Sequence, residues 1–367
     1  MEGVVMNNNF WRNKSVFITG HTGFKGSWLI IWLEHLGAKI TGFALEPDKS
    51  NTIYTNGLIL NCCKSIIGDV RDLKKLRNSM EEAQPEIVIH MAAQALVKKS
   101  YVDPIETYTT NIMGVVNIME ASREIESVKV ILNVTTDKCY ENNGEIWGFR
   151  ENEPMGGYDP YSSSKACSEI ITASYRKSFF SNKGNSKYQI SVATARAGNV
   201  IGGGDNATDR LIPDIIKSFK NNQIALIRNP KAIRPWQHVL EPLRGYLMLV
   251  EKIYADGQNY AEAWNFGPQV NDEKNVEWIV NEITKLWGGN AKWIQDDIKH
   301  AHEAQNLRLD ISKANQLLKW KPVLNINESL NMVVEWYKKE EKGQNPKNIC
   351  LKQIIKYEET IKNLTQI

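Results

Sequence analysis

The chain has 367 residues, 24% of them charged, and its acidic and basic side chains nearly cancel to a net charge of +3. That length holds one large domain with an appendage, or two domains, and with no block of like charge it excludes a nucleic-acid-binding arm. The five cysteines (Cys62, Cys63, Cys139, Cys167, Cys350) are odd in number and include no Cys-x-x-Cys pair, which fits reduced thiols and excludes a disulfide framework and a zinc site, so no metal is expected. Residues 1–14 lack an apolar leader core, and no apolar run approaches a membrane span. The expectation is a cytoplasmic protein with no membrane partner.

Ser15–Thr19 (SVFIT) reads as a short buried strand, which runs into Gly20-His-Thr-Gly23-Phe24-Lys25-Gly26 and then SWLIIWLEHLG. Leu29, Leu33 and Leu36 give the following helix an inward face, and Gly37 ends it. A strand, a turn with three glycines and a helix start form a phosphate cradle. Glycine lets the backbone approach a pyrophosphate, and the helix N-terminus presents N–H groups and positive dipole. The spacing is GxxGxxG rather than GxGxxG, so the placement between strand and helix carries the reading more than the glycines do.

A second strand, residues 38–44, should end at an acidic residue that holds an adenosine ribose. Ala44 occupies that place, and the nearest carboxylate is Glu46. A 2′-phosphate calls for an arginine or paired lysines there, and Phe43-Ala-Leu-Glu-Pro47 offers none. NAD is therefore the expected dinucleotide, with Lys25 and Lys49 as the cations that keep NADP open.

A third strand (KSIIG) leads to Asp69-Val70, and a helix over residues 72–84 carries the chain back. A fourth, residues 86–90, enters Met91-Ala92-Ala93-Gln94, whose small side chains leave room for a dinucleotide. His90 reads as a packed strand-end histidine rather than a catalytic one. The helix from Pro104 to about Ile125 carries Asn111 and Asn117 among apolar residues, and Asn111 is a candidate for bonding the neighbouring strand's backbone. Alternating strands and helices predict an α/β fold, a Rossmann-type, right-handed, doubly wound parallel sheet.

The stretch from Val128 to Lys165 carries the chemistry. A strand (VKVILN) breaks into Thr135-Thr136-Asp137-Lys138, and after GYDP the chain resumes as Tyr161-Ser-Ser-Ser-Lys165 at a helix start. A Tyr and a Lys four apart share a helix face. An ammonium beside a phenol favours the phenolate and lowers its pKa from about 10, giving a base for a hydroxyl proton. A surface helix turn explains such a pair equally well on its own; the polar strand end before it and the glycine turn favour the functional reading.

Residues 189–197 (QISVATARA) form a further strand, followed by Gly198-Asn199 and the triple glycine Gly202-Gly203-Gly204, read as a flexible loop suited to closing over a ligand. From Asp209 onward the regular alternation is lost, which predicts a smaller C-terminal α/β lobe. The expected division is 1–200 as the dinucleotide-binding part, with later segments returning to it, 201–345 as a substrate lobe and 346–367 as a C-terminal helix. Arg210, Arg234 and Arg308 suit a second pyrophosphate, although each alone is also an ordinary surface arginine. KKEEKGQNPKN reads as a linker, and a last helix follows over 349–364.

Taken together, GHTGFKGSWL, GFALEP, IGDVRD, HMAAQALVKKSY, TTDKCYEN, MGGYDPYSSSKACSE, ARAGNVIGGGD, DRLIPD and RNPKAIRPWQHVLEPLRGY resemble the extended short-chain dehydrogenase/reductase superfamily over nearly the whole chain. Within it the likeness is to the NAD-dependent epimerase/dehydratase family, in the branch that dehydrates CDP-glucose to CDP-4-keto-6-deoxyglucose for deoxysugar and O-antigen precursors. The resemblance implies that Gly20, Gly23 and Gly26 hold the dinucleotide pyrophosphate, with Phe24, Val70, Ala92, Ala93 and Asn111 around the cofactor. Asp69 would contact the adenine and Lys165 the nicotinamide ribose.

On the same resemblance Thr136 bonds the sugar's 4-hydroxyl, Tyr161 takes its proton, and Asp137 is the acid that expels the 6-hydroxyl. Relatives acting on dTDP-glucose carry a glutamate where this chain has Lys138. That lysine serves either as the base at C5, where its neutral form is favoured, or as a charge stabilising the enolate. Asn199, Arg210, Arg234, His302 and Glu303 would grip the nucleotide, and a homodimer would form through two helices of each subunit, about 104–125 and 160–180. The first carries Ile112, Met113, Ile118 and Met119, which core packing also explains. A 4-epimerase, another nucleotide-sugar 4,6-dehydratase, or a non-enzymatic dinucleotide-binding scaffold are the alternatives. An epimerase needs no acid for a leaving hydroxyl, and a scaffold needs none of Thr136, Asp137, Tyr161 and Lys165.

Overall fold

The computed structural model describes residues 8–47, 52–56, 61–181, 189–296 and 307–365. In chain order come α1 (Asn8–Trp11), β1 (Ser15–Thr19), α2 (Phe24–His35), β2 (Lys39–Ala44), α3 (Thr52–Asn56), β3 (Lys64–Ile67), α4 (Leu73–Ala83) and β4 (Ile87–His90). Next are α5 (Val97–Val102), α6 (Pro104–Tyr108), a π-helical turn (Thr109–Met113), α7 (Gly114–Arg123), β5 (Val130–Val134), α8 (Pro160–Ser178) and β6 (Ser191–Ala197). Then follow β7 (Val200–Ile201), α9 (Leu211–Lys220), β8 (Ala225–Ile227), β9 (Ile233–Arg234), β10 (Gln237–His238), α10 (Leu240–Asp256) and β11 (Ala263–Phe266). The chain closes with β12 (Lys274–Asn275), α11 (Val276–Trp287), β13 (Trp293–Gln295), α12 (Ile326–Glu341) and α13 (Pro346–Thr365).

Seven strands form one parallel sheet in the order β11-β6-β5-β4-β1-β2-β3. Its strands are continuous apolar runs because both faces are covered. Phe17, Val88, Ile131 and Val192 point to one core, while Val16, Ile18, Ile87, Ile89 and Leu132 point to the other, the period-two alternation of a strand made visible. The order reverses between β1 and β4, so the crevice at the carboxyl ends of those strands is where such sheets bind ligands. Beyond residue 200 the strands are short and pair off as β10–β7, β12–β9 and β13–β8, while β11 returns to the main sheet. Among the described residues no helix is long and apolar enough to cross a membrane, and the five cysteines form no disulfide.

Three expectations need correction. The helix α2 was expected to bury one face, but Trp28, Leu29, Ile30, Ile31, Trp32 and Leu33 are all fully buried. A helix that is apolar all round needs cover on every side, and α13 supplies it, with Trp32 Nε1 donating to Glu358 Oε1 at 2.8 Å. The stretch expected as a linker is mostly helical: α12 continues through Glu341 and α13 starts at Pro346.

The triple glycine is likewise no flexible lid. Residues 202–204 are buried, and a Cβ on Gly203 would stand 2.0 Å from Trp336 Cγ. Glycine is there because the Trp336 side chain of α12 occupies the space a Cβ would take. Of the apolar residues in the helix through α7, Ile118 and Met119 are core, so core packing accounts for them, while Met113 is exposed.

Candidate active site

The sheet's carboxyl edge opens into a cavity of about 560 Å³. One end is the turn between β1 and α2. Gly23 caps α2 without a side-chain hydrogen bond, so the helix's first N–H groups are left for a ligand. A Cβ on Gly26 would fall 2.2 Å from Gly20 O, and one on Gly20 would meet Ala92 N at 2.8 Å, whereas at Gly23 the nearest atom is 3.4 Å away. Gly26 therefore lets the turn pack on itself and Gly20 lets it close against the segment after β4, while the middle glycine leaves open space beside the helix start. A diphosphate fits this cradle.

Gly20, Gly23, Phe24, Gly26, Asp69, Val70, Ala92 and Ala93 all lie on the cavity wall. Asp69 receives Arg71 Nε at 3.0 Å and the Arg71 backbone N–H at 2.9 Å, and the Arg71 side chain holds its carboxyl below the usual carboxylate range. Asn117 Nδ2 donates to Val70 O at 2.8 Å and pins that wall. Asn111 is not on it. Buried in the π-helical turn, it donates from Nδ2 to Gln94 O at 3.0 Å and to Ser164 Oγ at 2.9 Å, and its Oδ1 accepts from Gln94 N at 2.8 Å. It thereby couples the segment after β4 to α8. Ala44 and Leu45 line the cavity where β2 ends, and Glu46 is exposed. His90 is buried, its Nδ1 2.7 Å from Thr19 Oγ1, and burial lowers it to about 3, so it is neutral.

At the other end β5 delivers Thr135 and Thr136 while α8 delivers Tyr161 and Lys165. The helix start is locally encoded: Asp159 accepts from Ser162 N at 2.9 Å and Pro160 takes the first helical position, a cap-then-proline arrangement that fixes Tyr161 in the first turn. Thr136 Oγ1 donates to Asp137 Oδ1 at 3.0 Å. Asp137 is buried, and its Oδ2 has no hydrogen-bond partner among the described residues. A Cβ on Gly198 would lie 2.9 Å from that oxygen. Burial raises the Asp137 carboxyl, against the charges of Lys138 and Arg234 and the Thr136 hydrogen bond, which lower it. Lys138 is half-buried beside it.

Tyr161 departs from expectation. Burial pushes its phenol up to about 12, with Asp137 adding to the rise and the Thr136 hydroxyl and Arg210 opposing it. The Lys165 amine, expected to depress the phenol, instead donates to Val134 O at 3.3 Å. It is itself lowered to about 8 by burial, with Glu169 opposing.

Arg210 lines the cavity and donates to Asp205 Oδ2 at 2.9 Å. Asn199 sits between the wall residues Gly198 and Val200. Arg234 is buried on β9 off the wall, its charge acting on Asp137. Arg308 pairs with Glu273 at 2.8 Å. His302, Glu303 and Lys49 lie outside the described residues.

Sequence reading took Lys25 as a charge in the turn and a cation that keeps NADP open, and passed over Asp205 and Tyr246. Lys25 lines the cavity with its amine 5.8 Å from the Tyr246 ring. Burial, then Lys165 and Arg210, lower it to about 7. The signal was present, since a lysine inside a phosphate-cradling turn has little else to face.

A parallel sheet with its cradle at β1, and a Tyr/Lys helix facing a polar end of β5, define the class: the chain is an extended short-chain dehydrogenase/reductase. Its residues 17–333 match the family model described as GDP-mannose 4,6 dehydratase, and the chain belongs to that family. It is 50% identical over 351 residues to the CDP-glucose 4,6-dehydratase of Salmonella typhimurium, covering 96% of this chain and 98% of that one. Among solved structures, dTDP-glucose 4,6-dehydratase from Bacillus anthracis in complex with NAD aligns with a TM-score of 0.70 at 22% identity, over 91% of this chain and 99% of that one. UDP-glucose 4-epimerase of Thermotoga maritima with UDP-glucose aligns at 0.74 and 21% identity, over 89% and 99%. These two likenesses bear on the fold.

Proposed function

We propose that the protein dehydrates CDP-glucose to CDP-4-keto-6-deoxyglucose and water through a resident NAD. One observation carries the reaction type: a buried aspartic acid with an unpartnered oxygen beside a threonine and a tyrosine on the cavity. An epimerase has no use for that acid. The CDP-glucose assignment draws its support from the 50% identity with the Salmonella dehydratase.

The cradle glycines, Phe24, Asp69, Val70, Ala92 and Ala93 would hold the dinucleotide, with Lys165 toward its nicotinamide ribose. NAD rather than NADP is supported by Ala44 and Leu45, which bring no cation to the end of β2. When bound, that group would supply a reversible hydride acceptor, keeping the hydride from C4 until it is returned to C6 as C5 regains a proton. Tyr161, raised by burial, would take the 4-hydroxyl proton once the positive charge of the bound oxidised nicotinamide favours its phenolate, with Thr136 holding the same oxygen. Burial raises the Asp137 carboxyl and so favours the protonated form that donates to the 6-hydroxyl, which leaves as water as the C5 proton is removed. Lys138 acts in that second stage, as base or as charge beside the enolate. Arg210, Arg234, His302 and Glu303 serve the nucleotide from the segment 201–345, with Asn199 just before it. The product, a 4-keto-6-deoxy sugar on a nucleotide, suits deoxysugar and O-antigen assembly in the cytoplasm.

A homodimer is supported by one apolar surface. Val102 of α5, Ile105 of α6 and Ile170 of α8 are 85%, 76% and 57% exposed on helices that pack against one another. Ile105→Glu with Ile170→Glu should give a monomer in light scattering; a monomer before mutation refutes the dimer. For the reaction, turnover is compared with CDP-, dTDP-, UDP- and GDP-glucose, following the keto product. CDP-glucose is expected to be the best substrate, and better turnover of another sugar overturns the substrate assignment.

A further inference from the structure

Behind the catalytic residues lies an ionisable group that the reaction as described does not use. Glu169 stands one turn beyond Lys165 on α8, on the same face, and is buried. Its Oε1 accepts from Thr135 Oγ1, and its Oε2 accepts from Thr194 Oγ1 at 2.7 Å and Arg196 Nη2 at 2.8 Å. Arg196, on β6, is held in turn: Nη1 donates to the Tyr140 hydroxyl at 2.6 Å and to Glu151 O at 3.0 Å, and Tyr140 donates to Asn265 Oδ1 at 2.7 Å. The network thus joins α8 to the ends of β5, β6 and β11.

Its geometry at β5 is a clamp. Lys165 grips Val134 through the carbonyl at 3.3 Å, and Glu169 grips the next residue, Thr135, through the hydroxyl. Thr136 and Asp137 follow directly, so the side chains that meet the sugar hang from a strand end held at two consecutive residues by one helix face.

The charges point the same way. Arg196 keeps Glu169 ionised, lowering its carboxyl against burial. Around the Lys165 amine, Glu169 is the carboxylate that opposes loss of its proton. The other groups facing it are the buried Cys139 thiol, held protonated by burial, Lys25 from the start of α2, the neutral His90 from β4, and Tyr161 one turn back. Lys25 repels it, and none of the others supplies a negative charge.

We propose that Glu169 is a positioning residue for this reaction: with Lys165 it clamps the end of β5 against α8, and its carboxylate keeps the Lys165 ammonium charged in a dry pocket. The inference rests on the reading of Lys165 as a cofactor-holding cation. Its test therefore has a readout that needs no turnover. Bound NAD on the holoenzyme is exchanged against labelled NAD, and the exchange rate is followed against pH. Exchange should quicken as pH rises and Lys165 loses its proton.

In Glu169→Gln that alkaline limb should move down by roughly one to two pH units, the size expected when a close opposite charge is removed. Glu169→Gln/Arg196→Gln, which leaves no orphaned arginine and is the variant to read where the single one fails to fold, should move the limb in the same direction by less, because the arginine's repulsion of Lys165 is removed together with the carboxylate's attraction. Glu169→Asp keeps the charge and should keep the wild-type limb while slowing turnover. A limb that stays in place in the folded Gln variants, with only a uniform loss of rate, reduces Glu169 to a structural residue and overturns the proposal. A displaced limb in a protein that turns over no CDP-glucose supports the proposal and overturns the substrate reading instead.

Discussion

At the glycine end of the cavity the wall is backbone: Gly20, Gly23, Gly26, Ala92 and Ala93 present N–H groups and space. At the β5 end it is the side chains of Thr136, Tyr161 and Lys165, with the buried Asp137 next to Thr136, and burial has raised Asp137 and Tyr161 and lowered Lys165. The first end recognises mainly through shape and fixed dipoles, with Lys25, lowered to about 7, adding a charge that changes near neutral pH. The second works only in particular charge states. Damage at the glycine end should cost cofactor occupancy and stability. Damage at Thr136, Asp137, Lys138 or Tyr161 at the β5 end should leave the cofactor bound and stop the chemistry, at a step set by which residue is lost, whereas Lys165 at that end also holds the cofactor.

The widest separation should come from Tyr161→Phe. Removing the group that takes the 4-hydroxyl proton is expected to slow the first hydride transfer by about 10²–10⁴-fold, while NAD still co-purifies. Stopped-flow absorbance on mixing with CDP-glucose should show no reduced nicotinamide. A normal burst would remove Tyr161 from the first step.

Asp137→Asn and Lys138→Met break the β5 end at a later point. Both should still reduce the cofactor yet stall before water is lost, seen as a persistent reduced-nicotinamide signal; normal product formation by Lys138→Met would take Lys138 out of the mechanism. The pH dependence has a definite sign. Burial raises the Asp137 carboxyl, which extends its protonated, donating form to higher pH than an ordinary aspartate allows. Water loss should therefore be fastest below that raised value and fall as pH climbs through it, while cofactor reduction does not follow the same curve.

The same contrast decides what could be read from the sequence. Strand, glycine turn and helix are local patterns, so the sheet and the cradle were visible in their order along the chain, and the Tyr161/Lys165 face drew its meaning from the polar strand end before it. Burial is not local. The phenol was expected to fall because a lysine lies four residues on, but that lysine is drawn to Val134 O, and loss of water dominates. Likewise Gly202-Gly203-Gly204 looked flexible because nothing near it in sequence reveals Trp336, and α2 looked one-sided because α13 lies at the far end of the chain. Glu169 was four residues past Lys165 and legible by the same spacing rule, but its meaning depends on Arg196 from a different strand.

At the glycine end the sharpest probe is Gly26→Ala. The added methyl would meet the Gly20 carbonyl at 2.2 Å, backbone against backbone, so the turn must open. Overpacking of this kind costs about 1–3 kcal/mol, and the thermal midpoint and NAD content should fall together. Gly23→Ala, whose nearest contact would be 3.4 Å, should fold normally and lose only cofactor. Equal stability losses in the two would mean that the cradle is not divided between packing and binding as its geometry implies.

The smallest effect is expected at the rim, where Lys98 of α5 and Asp209 before α9 form an ion pair across the chain, with side chains 54% and 42% exposed. The chemistry matches that of Arg196 and Glu169, which are about one-twentieth exposed, but the surroundings do not. Water already solvates both rim charges, so Lys98→Ala loses little Coulomb energy and recovers side-chain freedom, a net change of about 0–1 kcal/mol. Removing one member of the buried pair strands the other without solvent, which costs about 3–5 kcal/mol. Chemical denaturation of Lys98→Ala beside Arg196→Gln measures both. The rim effect should shrink further in high salt, since exposed charges are screened over about 10 Å at 0.1 M, and the buried effect should hardly move. A salt-insensitive loss of several kcal/mol from Lys98→Ala would show that the rim pair is shielded when the protein is in solution, and would move it into the same class as the pair behind the site.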